Sequence, residues 1–362
     1  MRKKRRYVLY YCLFTLLAAA ALLAAARLSA GFAEWYARSI YPLFPHSLGR
    51  IFSPLPFSVA ELLLTALAAG LCAFIIYSLF MLVRGRAART LLRRRWRALG
   101  PRLAVACCSL LLMYILTCGI NYSRLPLAQA LGLETRPSSA QELRQLYSLL
   151  CQEAAIAAEG IQTDAQGFFE LASAPREQGR LAMRRLGGNY APLKAYYPLP
   201  KPVFFSTGLS YLHIAGIYSP FTIEANYNRD MPPSDIPYSI CHELAHLGCF
   251  MREDEANFIA YLACRESGNS DFHYSGLLNA LSYVLNALYG EMAAEEYRGL
   301  IRELPEQMRR DLQQNAAYWQ GFAGPAAEIS QSVNDIYLKA NDQPQGVKSY
   351  GRMVDLLIAY YL

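Results

Sequence analysis

The chain has 362 residues and a formal net charge of +7. That charge is divided unevenly: residues 1–123 hold 16 Lys or Arg and two acids, a net +14, whereas residues 124–362 hold the other 19 and 26, a net −7. Because the basic charge is confined to the first third, it gives no support for a nucleic-acid partner, and we expect none. The division predicts a membrane-inserted first part and a globular second part.

Three uncharged apolar runs lie in the first part: Tyr7–Ala26, Leu62–Val83 and Leu103–Ser123, of 20, 22 and 21 residues. A helix needs roughly 20 apolar residues to cross the hydrocarbon layer of a bilayer, so each run is predicted to span the membrane. The first run exceeds the apolar core of about 7–15 residues that a signal peptide carries, and we expect it to be retained. Residues 1–123 are therefore predicted to form a membrane domain.

The basic residues predict the orientation of these spans. RKKRR precedes the first span, and the loop Arg84–Arg102 holds eight arginines and no acid. The loop between the first two spans holds only three arginines. Because basic residues are retained on the cytoplasmic side, the N-terminus and the arginine loop are expected in the cytoplasm. Everything after Ser123 is then expected outside it.

Residues 124–362 are predicted to form one mostly helical domain of class α+β. Helical patterns cover Ala140–Glu159, Thr163–Ala172 and Pro175–Leu186. Ser139 and Glu142 form a capping box before the first of these helices. Segments rich in aromatic and β-branched residues follow at Lys201–Ser206, Tyr211–Tyr218 and Phe221–Asn228, and they predict a small antiparallel sheet. From Tyr238 to Leu362 the pattern is helical again.

The stretch CHELAHLGCFMREDEANF, residues 241–258, contains the candidate metal ligands and general base. His242 and His246 are four residues apart and share one face of a helix, so both can direct a ring nitrogen at a single ion. Glu243 lies about 100° around that helix and can act as a general base beside the ion. This HExxH spacing predicts one Zn²⁺.

A catalytic zinc site needs a third protein ligand and an open position. Gly248 ends the first helix, and Glu253 and Glu255 in the next helix are the two candidates. Glu253 and Asn257 are four residues apart on one face, so Asn257 can hydrogen-bond a ligand histidine. We therefore predict Glu253 as the ligand, with Glu255 as the alternative.

Two further elements are expected around the zinc. Tyr274, in DFHYSG, is the first candidate to stabilise the oxyanion that forms when water attacks a carbonyl, ahead of His273, Tyr350 and Arg352. The segment FTIEANYN directly precedes the HExxH helix, and an edge strand there can pair with an extended peptide substrate.

Several blocks of sequence resemble a known family. HELAH followed by EDEANF, NYSRLPL after the third span, GIYSPFTIEAN, DFHYSG and DIYLKANDQPQGVKSYGRM are similar to the bacterial family catalogued as domain of unknown function 3810. The resemblance covers most of residues 119–354. It implies a three-pass protein of the bacterial cytoplasmic membrane with a zinc metallopeptidase domain. The E-x-x-x-N element is also similar to the E-x-x-x-D element of gluzincins, in which the Glu binds zinc, although Glu253 follows His246 more closely.

The function expected from these observations is a membrane-anchored zinc metallopeptidase with an extracytoplasmic, zincin-like domain at residues 124–362. Its partners would be a peptide or protein substrate and the lipid bilayer. Two alternatives remain open: a zinc-stabilised sensor or binding module that cleaves nothing, and an amide hydrolase acting on cell-wall peptide. An intramembrane protease is not expected, because charged residues bracket the HExxH motif too closely for a span.

Overall fold

The three predicted spans are helices in the computed structural model, which describes residues 2–84, 86–289 and 291–362. Helices at Arg6–Leu28, Val59–Val83 and Arg86–Ser123 are long and apolar enough to cross a membrane. Most of their side chains are exposed on the surface of the fold. Exposed apolar surface of this extent requires a lipid environment, so the chain is associated with a membrane.

The helices of the first part are α1 (Arg2–Leu28), α2 (Ala30–Ser39), α3 (Arg50–Phe52), α4 (Val59–Val83) and α5 (Arg86–Thr117). The arginine segment predicted as a loop is instead helical from Arg86 and continuous with the third span through Pro101. Its residues before Gly100 are mainly Arg, Ala and Leu, which favour helix, and α5 continues through Gly100 and Pro101. The last part of the predicted span, Gly119–Ser123, forms a 3₁₀ turn.

The helices of the second part surround a small sheet. They are α6 (Leu127–Leu131), α7 (Ala140–Glu159), α8 (Pro175–Asn189), α9 (Ser206–Tyr211), α10 (Ile236–Leu247), α11 (Glu253–Arg265), α12 (Ser270–Tyr289), α13 (Ala294–Glu303), α14 (Glu306–Gly321), α15 (Pro325–Ala340) and α16 (Met353–Tyr361). The predicted capping box of Ser139 and Glu142 is confirmed at the start of α7. The mostly helical architecture is confirmed as well.

The helix predicted at Thr163–Ala172 is wrong. Strands β1 (Gln162–Thr163) and β2 (Phe169–Glu170) pair there as a hairpin. The Asp164 carboxylate accepts hydrogen bonds from the backbone N–H groups of Gln166 and Phe168, both at 2.9 Å. Gly167 adopts a φ of 80°, which glycine alone adopts without strain. The aspartate turn therefore overrides the helical pattern.

The predicted small antiparallel sheet is present, although its strands are shorter. β4 (Gly216–Ser219) pairs antiparallel with β5 (Glu224–Tyr227), and β3 (Lys201–Pro202) pairs with the other side of β5 in parallel. The order is β3-β5-β4, so β4 lies at an edge. The strand predicted at Tyr211–Tyr218 is shortened, because helix α9 includes Tyr211.

Charged side chains connect this sheet to the start of α4. The Glu224 carboxylate accepts hydrogen bonds from the backbone N–H groups of Val59 and Ala60, at 3.1 and 2.9 Å. Lys201 is fully buried, and its ammonium donates to the carbonyls of Phe52 and Ser53 at 3.0 and 2.8 Å. Because free N–H groups at a helix start favour a carboxylate, Glu224 stabilises the first turn of α4. The sheet and the second span are thereby fixed to each other.

Candidate metal centre

The HExxH motif lies on α10, the most enclosed helix of the domain. Every residue of α10 is buried except His242, which is half-buried. The hydroxyl of Tyr41, from the segment between the first two spans, donates to the Leu247 carbonyl at the end of α10, at 2.9 Å. This bond satisfies one of the free carbonyls at a helix end. The motif is therefore rigidly held and open to its surroundings only at His242.

Three donor atoms from α10 and α11 converge on one point. His242 Nε2 lies 3.0 Å from His246 Nε2, and Glu253 Oε2 lies 3.2 and 3.5 Å from these two nitrogens. Ligand atoms placed about 2.0–2.1 Å from one tetrahedral ion are about 3.3 Å apart. The triangle therefore has the dimensions of three ligands around one small metal ion.

The ring of His246 is oriented for this role. Its Nδ1 lies 2.8 Å from the Phe250 carbonyl, so we assign a hydrogen to Nδ1 in both the neutral and the positive ring. In the neutral ring, which is the form that binds a metal, the lone pair is then on Nε2, the atom next to Glu253 and His242. A backbone carbonyl that fixes the tautomer of a histidine is a common support for metal binding.

The pKa values of the site describe a buried ion pair. Burial opposes the charge on His246, but the Glu253 carboxylate outweighs it and raises the pKa of His246 to about 9. Burial likewise opposes the charge on Glu253, and the positive His246 together with the contact from His242 lowers its pKa to about 2. The buried carboxylate thus favours positive charge at the centre of the triangle.

The structure distinguishes between the two candidate third ligands. Glu253 joins the histidines, whereas Glu255 accepts hydrogen bonds from the Leu127 backbone N–H at 2.8 Å and from Arg252 at 2.9 Å. Asn257 is buried one turn after Glu253. Its side-chain nitrogen finds no hydrogen-bond partner among the described residues. His246 Nδ1 contacts the Phe250 carbonyl and His242 Nδ1 has no partner among those residues, so the expected bond from a ligand histidine to Asn257 is not made.

Glu243 is buried beside the triangle and against the edge strand. Burial raises its pKa above the usual range, although the two histidines act in the opposite direction. A Cβ added to Gly216 of β4 would lie 2.6 Å from Glu243 Oε1 and 2.9 Å from the Asn226 carbonyl. Since real Cβ atoms do not approach other atoms this closely, Gly216 provides the space that the Glu243 side chain occupies.

Tyr274 is not brought to the triangle. Its hydroxyl is buried and donates to the Asp311 carboxylate, while its ring stacks on Phe169. Of the lower-ranked candidates, His273 lies beside Glu153 and Arg265, and Arg352 lies near Asp355. Both are therefore placed among other charged groups.

Two other tyrosines lie close enough to the acidic groups of the site for their charges to affect the hydroxyls, and the Tyr350 hydroxyl accepts a hydrogen bond from Asn334 at 3.3 Å. Burial, followed by the charge of Glu253, raises the pKa of Tyr350 well above its usual value, and Glu243 acts in the same direction. Burial and Glu253 also raise the pKa of Tyr283, which neighbours Asn257. Both hydroxyls thus stay protonated and able to donate. Tyr283 was missed from the sequence because it reads as one more apolar position of the helix α12.

Comparison with known families identifies the family to which the chain belongs. The sequence model described as Protein of unknown function (DUF3810) matches residues 36–358. Because this range is most of the chain, the protein belongs to that family. The matched residues include Tyr41, the second and third spans and the whole candidate centre. No curated protein and no solved structure matches the chain.

Proposed function

We propose that this protein is a membrane-anchored, zinc-dependent metallopeptidase that hydrolyses bonds in peptide or protein substrates. The observation that carries the proposal is the convergence of His242, His246 and Glu253 with Glu243 buried beside them. Three protein ligands with an adjacent carboxylic base form the group that metal-assisted hydrolysis requires. A zincin-like fold for residues 124–362 is part of the proposal.

The donor set fits zinc. Two imidazole nitrogens and one carboxylate oxygen are ligands that catalytic zinc takes, and they leave a fourth position for water or substrate. Glu253 Oε2 is buried and has no well-aligned hydrogen-bond donor among the described residues. A buried carboxylate oxygen in this state is costly unless positive charge lies beside it, from His246 or from a bound metal ion.

Different residues of the chain would then carry out different steps of the hydrolysis. Zinc held by His242, His246 and Glu253 would lower the pKa of water and polarise the substrate carbonyl. Glu243 would take a proton from the attacking water as the new C–O bond forms and the carbonyl oxygen becomes an oxyanion. It would then deliver that proton to the nitrogen of the leaving amine as the peptide C–N bond breaks. Tyr350, whose hydroxyl stays protonated, is the better-placed candidate to donate to the oxyanion than Tyr274.

The edge strand β4 supports an extended peptide as the substrate. β4 pairs with β5 on one side, and within the described residues no strand pairs with its other side. Gly216 of this strand directly adjoins Glu243, and Ile217 is half exposed, at 49%. A peptide that added to β4 as a further strand would pass the proposed general base.

The experiment that tests the function is metal-dependent cleavage. The full chain in lipid nanodiscs, loaded with zinc, should cleave an unfolded protein such as casein. A chelator should abolish this cleavage, and added zinc should restore it. Zinc bound at one equivalent without cleavage of proteins or of cell-wall peptides would contradict the proposal and favour a binding module.

We also propose that the N-terminus is cytoplasmic and that the catalytic domain lies outside the cytoplasm of a bacterial cell. The arginines that precede α1 and lie in the first half of α5 support this orientation. An enzymatic reporter fused after Leu362 is expected to be active only if it requires an extracytoplasmic location. Activity of a reporter that works only in the cytoplasm would overturn the orientation.

A further inference from the structure

Helix α15 carries an apolar stripe that faces away from the domain. Its members are spaced alternately by three and four residues and are all exposed: Ala326, Ile329, Val333, Ile336 and Ala340. The three largest side chains are 65%, 61% and 68% exposed. The opposite face packs inward through the buried Ala327 and Leu338. Exposed apolar side chains at this spacing are typical of a helix that has a partner on its outer face.

The C-terminal end of α15 is bonded to the ends of two spans. Arg27, in the last turn of α1, donates to the Ala340 carbonyl at 3.1 Å and pairs with Asp342 at 3.2 Å. The hydroxyl of Tyr114, in the last turn of α5, donates to Asn341 Oδ1 at 2.7 Å. The ends of spanning helices mark the boundary between hydrocarbon and water. The bilayer surface therefore passes the end of α15.

A second exposed apolar element lies at the same boundary. The backbone N–H groups of Phe204 and Phe205 donate to the Glu61 carboxylate, both at 2.8 Å, and Glu61 is in the first turn of α4. The two phenyl rings are 70% and 60% exposed. The domain thus presents apolar side chains toward the membrane boundary at two separate places.

We propose that α15 lies along the surface of the bilayer with its apolar stripe among the lipid headgroups and the first acyl carbons. Amphipathic helices bind lipid in this way, with the apolar face buried and the polar face in water. α15 is about 24 Å long, so it covers a wide strip of the surface. Lipid is favoured over a second copy of the chain because the bonds to Arg27 and Tyr114 hold α15 at the boundary in every molecule. The proposal goes beyond the metallopeptidase function and does not depend on it.

The test compares two neighbouring positions of α15. The variants Val333→Cys and Ser332→Cys replace two exposed residues, one on the stripe and one beside it on the polar face. Each full chain is placed in lipid nanodiscs that hold a single molecule, and a polymer-linked maleimide that cannot enter lipid is added. The wild-type chain gives the baseline from the native cysteines. Lipid should make Val333→Cys react at least 10-fold more slowly than Ser332→Cys, and Ile336→Cys should be slowed equally.

Two results would overturn the proposal. Equal reaction rates at positions 332 and 333 would mean that the stripe faces water. Equal rates in single-molecule discs, together with protection and Val333→Cys cross-linking in densely loaded vesicles, would identify a second copy of the chain as the partner. Because both positions are on the surface, neither substitution is expected to prevent folding.

Discussion

Replacing Glu243 by glutamine is expected to lower peptide cleavage by about 10²–10⁴-fold while the zinc content stays at one equivalent. Glutamine keeps the size of the side chain but cannot take a proton at neutral pH. The three donor atoms that converge at the centre come from other residues, so metal binding should be unaffected. Cleavage of casein and metal analysis of the same purified sample measure the two quantities together.

A second substitution, in strand β4, tests whether the position of the Glu243 side chain matters for cleavage. Gly216→Ala should displace the Glu243 carboxylate, since the new methyl group would lie 2.6 Å from Oε1. A shift of about 1 Å in a catalytic group lowers rates by about 10²-fold. Gly208→Ala is the matched control, because nothing lies within 4 Å of its Cβ.

If Glu243→Gln cleaved as fast as the natural protein with zinc retained, the assignment of the general base would be wrong.

Replacing Glu253 by glutamine is expected to weaken zinc binding by more than about 10²-fold, since even groups that only support a metal ligand contribute 10–100-fold. The amide of glutamine is neutral. The substitution therefore removes the negative charge of the Glu253 carboxylate, which pairs with His246 and would balance the charge of the zinc ion. Competition with a fluorescent zinc chelator gives the dissociation constant. Thermal unfolding of the same sample shows whether the fold is retained.

Glu255→Gln is the informative control for this measurement. Glu255 accepts hydrogen bonds from Leu127 and Arg252, so its replacement should lower thermal stability and leave the zinc affinity within a few-fold of the natural value. Because the Arg252 side chain is 25% exposed, the loss should be smaller than the roughly 3–5 kcal/mol that breaking a fully buried charged pair costs. The reverse pattern, with zinc lost from Glu255→Gln and kept in Glu253→Gln, would contradict the assignment of the third ligand.

The part of the site that the sequence predicts well is the part fixed by one helix. His242, Glu243 and His246 have known relative positions once α10 is helical, and α10 is helical as predicted. The local spacing favoured Glu253 over Glu255, but it could not show that the Leu127 N–H, 128 residues away, binds Glu255. The partner of Tyr274 could not be foreseen either, since Asp311 from α14 binds its hydroxyl, and its role at an oxyanion stays a prediction. Local patterns carry no information about such distant partners.

The same distinction holds for the fold. Spans and the capped helix α7 follow from composition and local pattern, and they are present as predicted. The segment just before α9 is instead held by the Glu61 carboxylate, from the first turn of α4, which binds the N–H groups of Phe204 and Phe205. Nothing near Phe204 in the sequence shows that a carboxylate from a membrane span will bind the backbone there.

The bond from Tyr41 to the end of α10 has a consequence for how this protein can be divided. A soluble fragment that began at residue 124 would leave the Leu247 carbonyl, Lys201 and Glu224 without the partners that the segment between the first two spans supplies. Buried groups that lose their partners destabilise a fold by several kcal/mol. The membrane part is thus a structural component of the fold that holds α10 rather than a tether, and the unit that folds begins before residue 41.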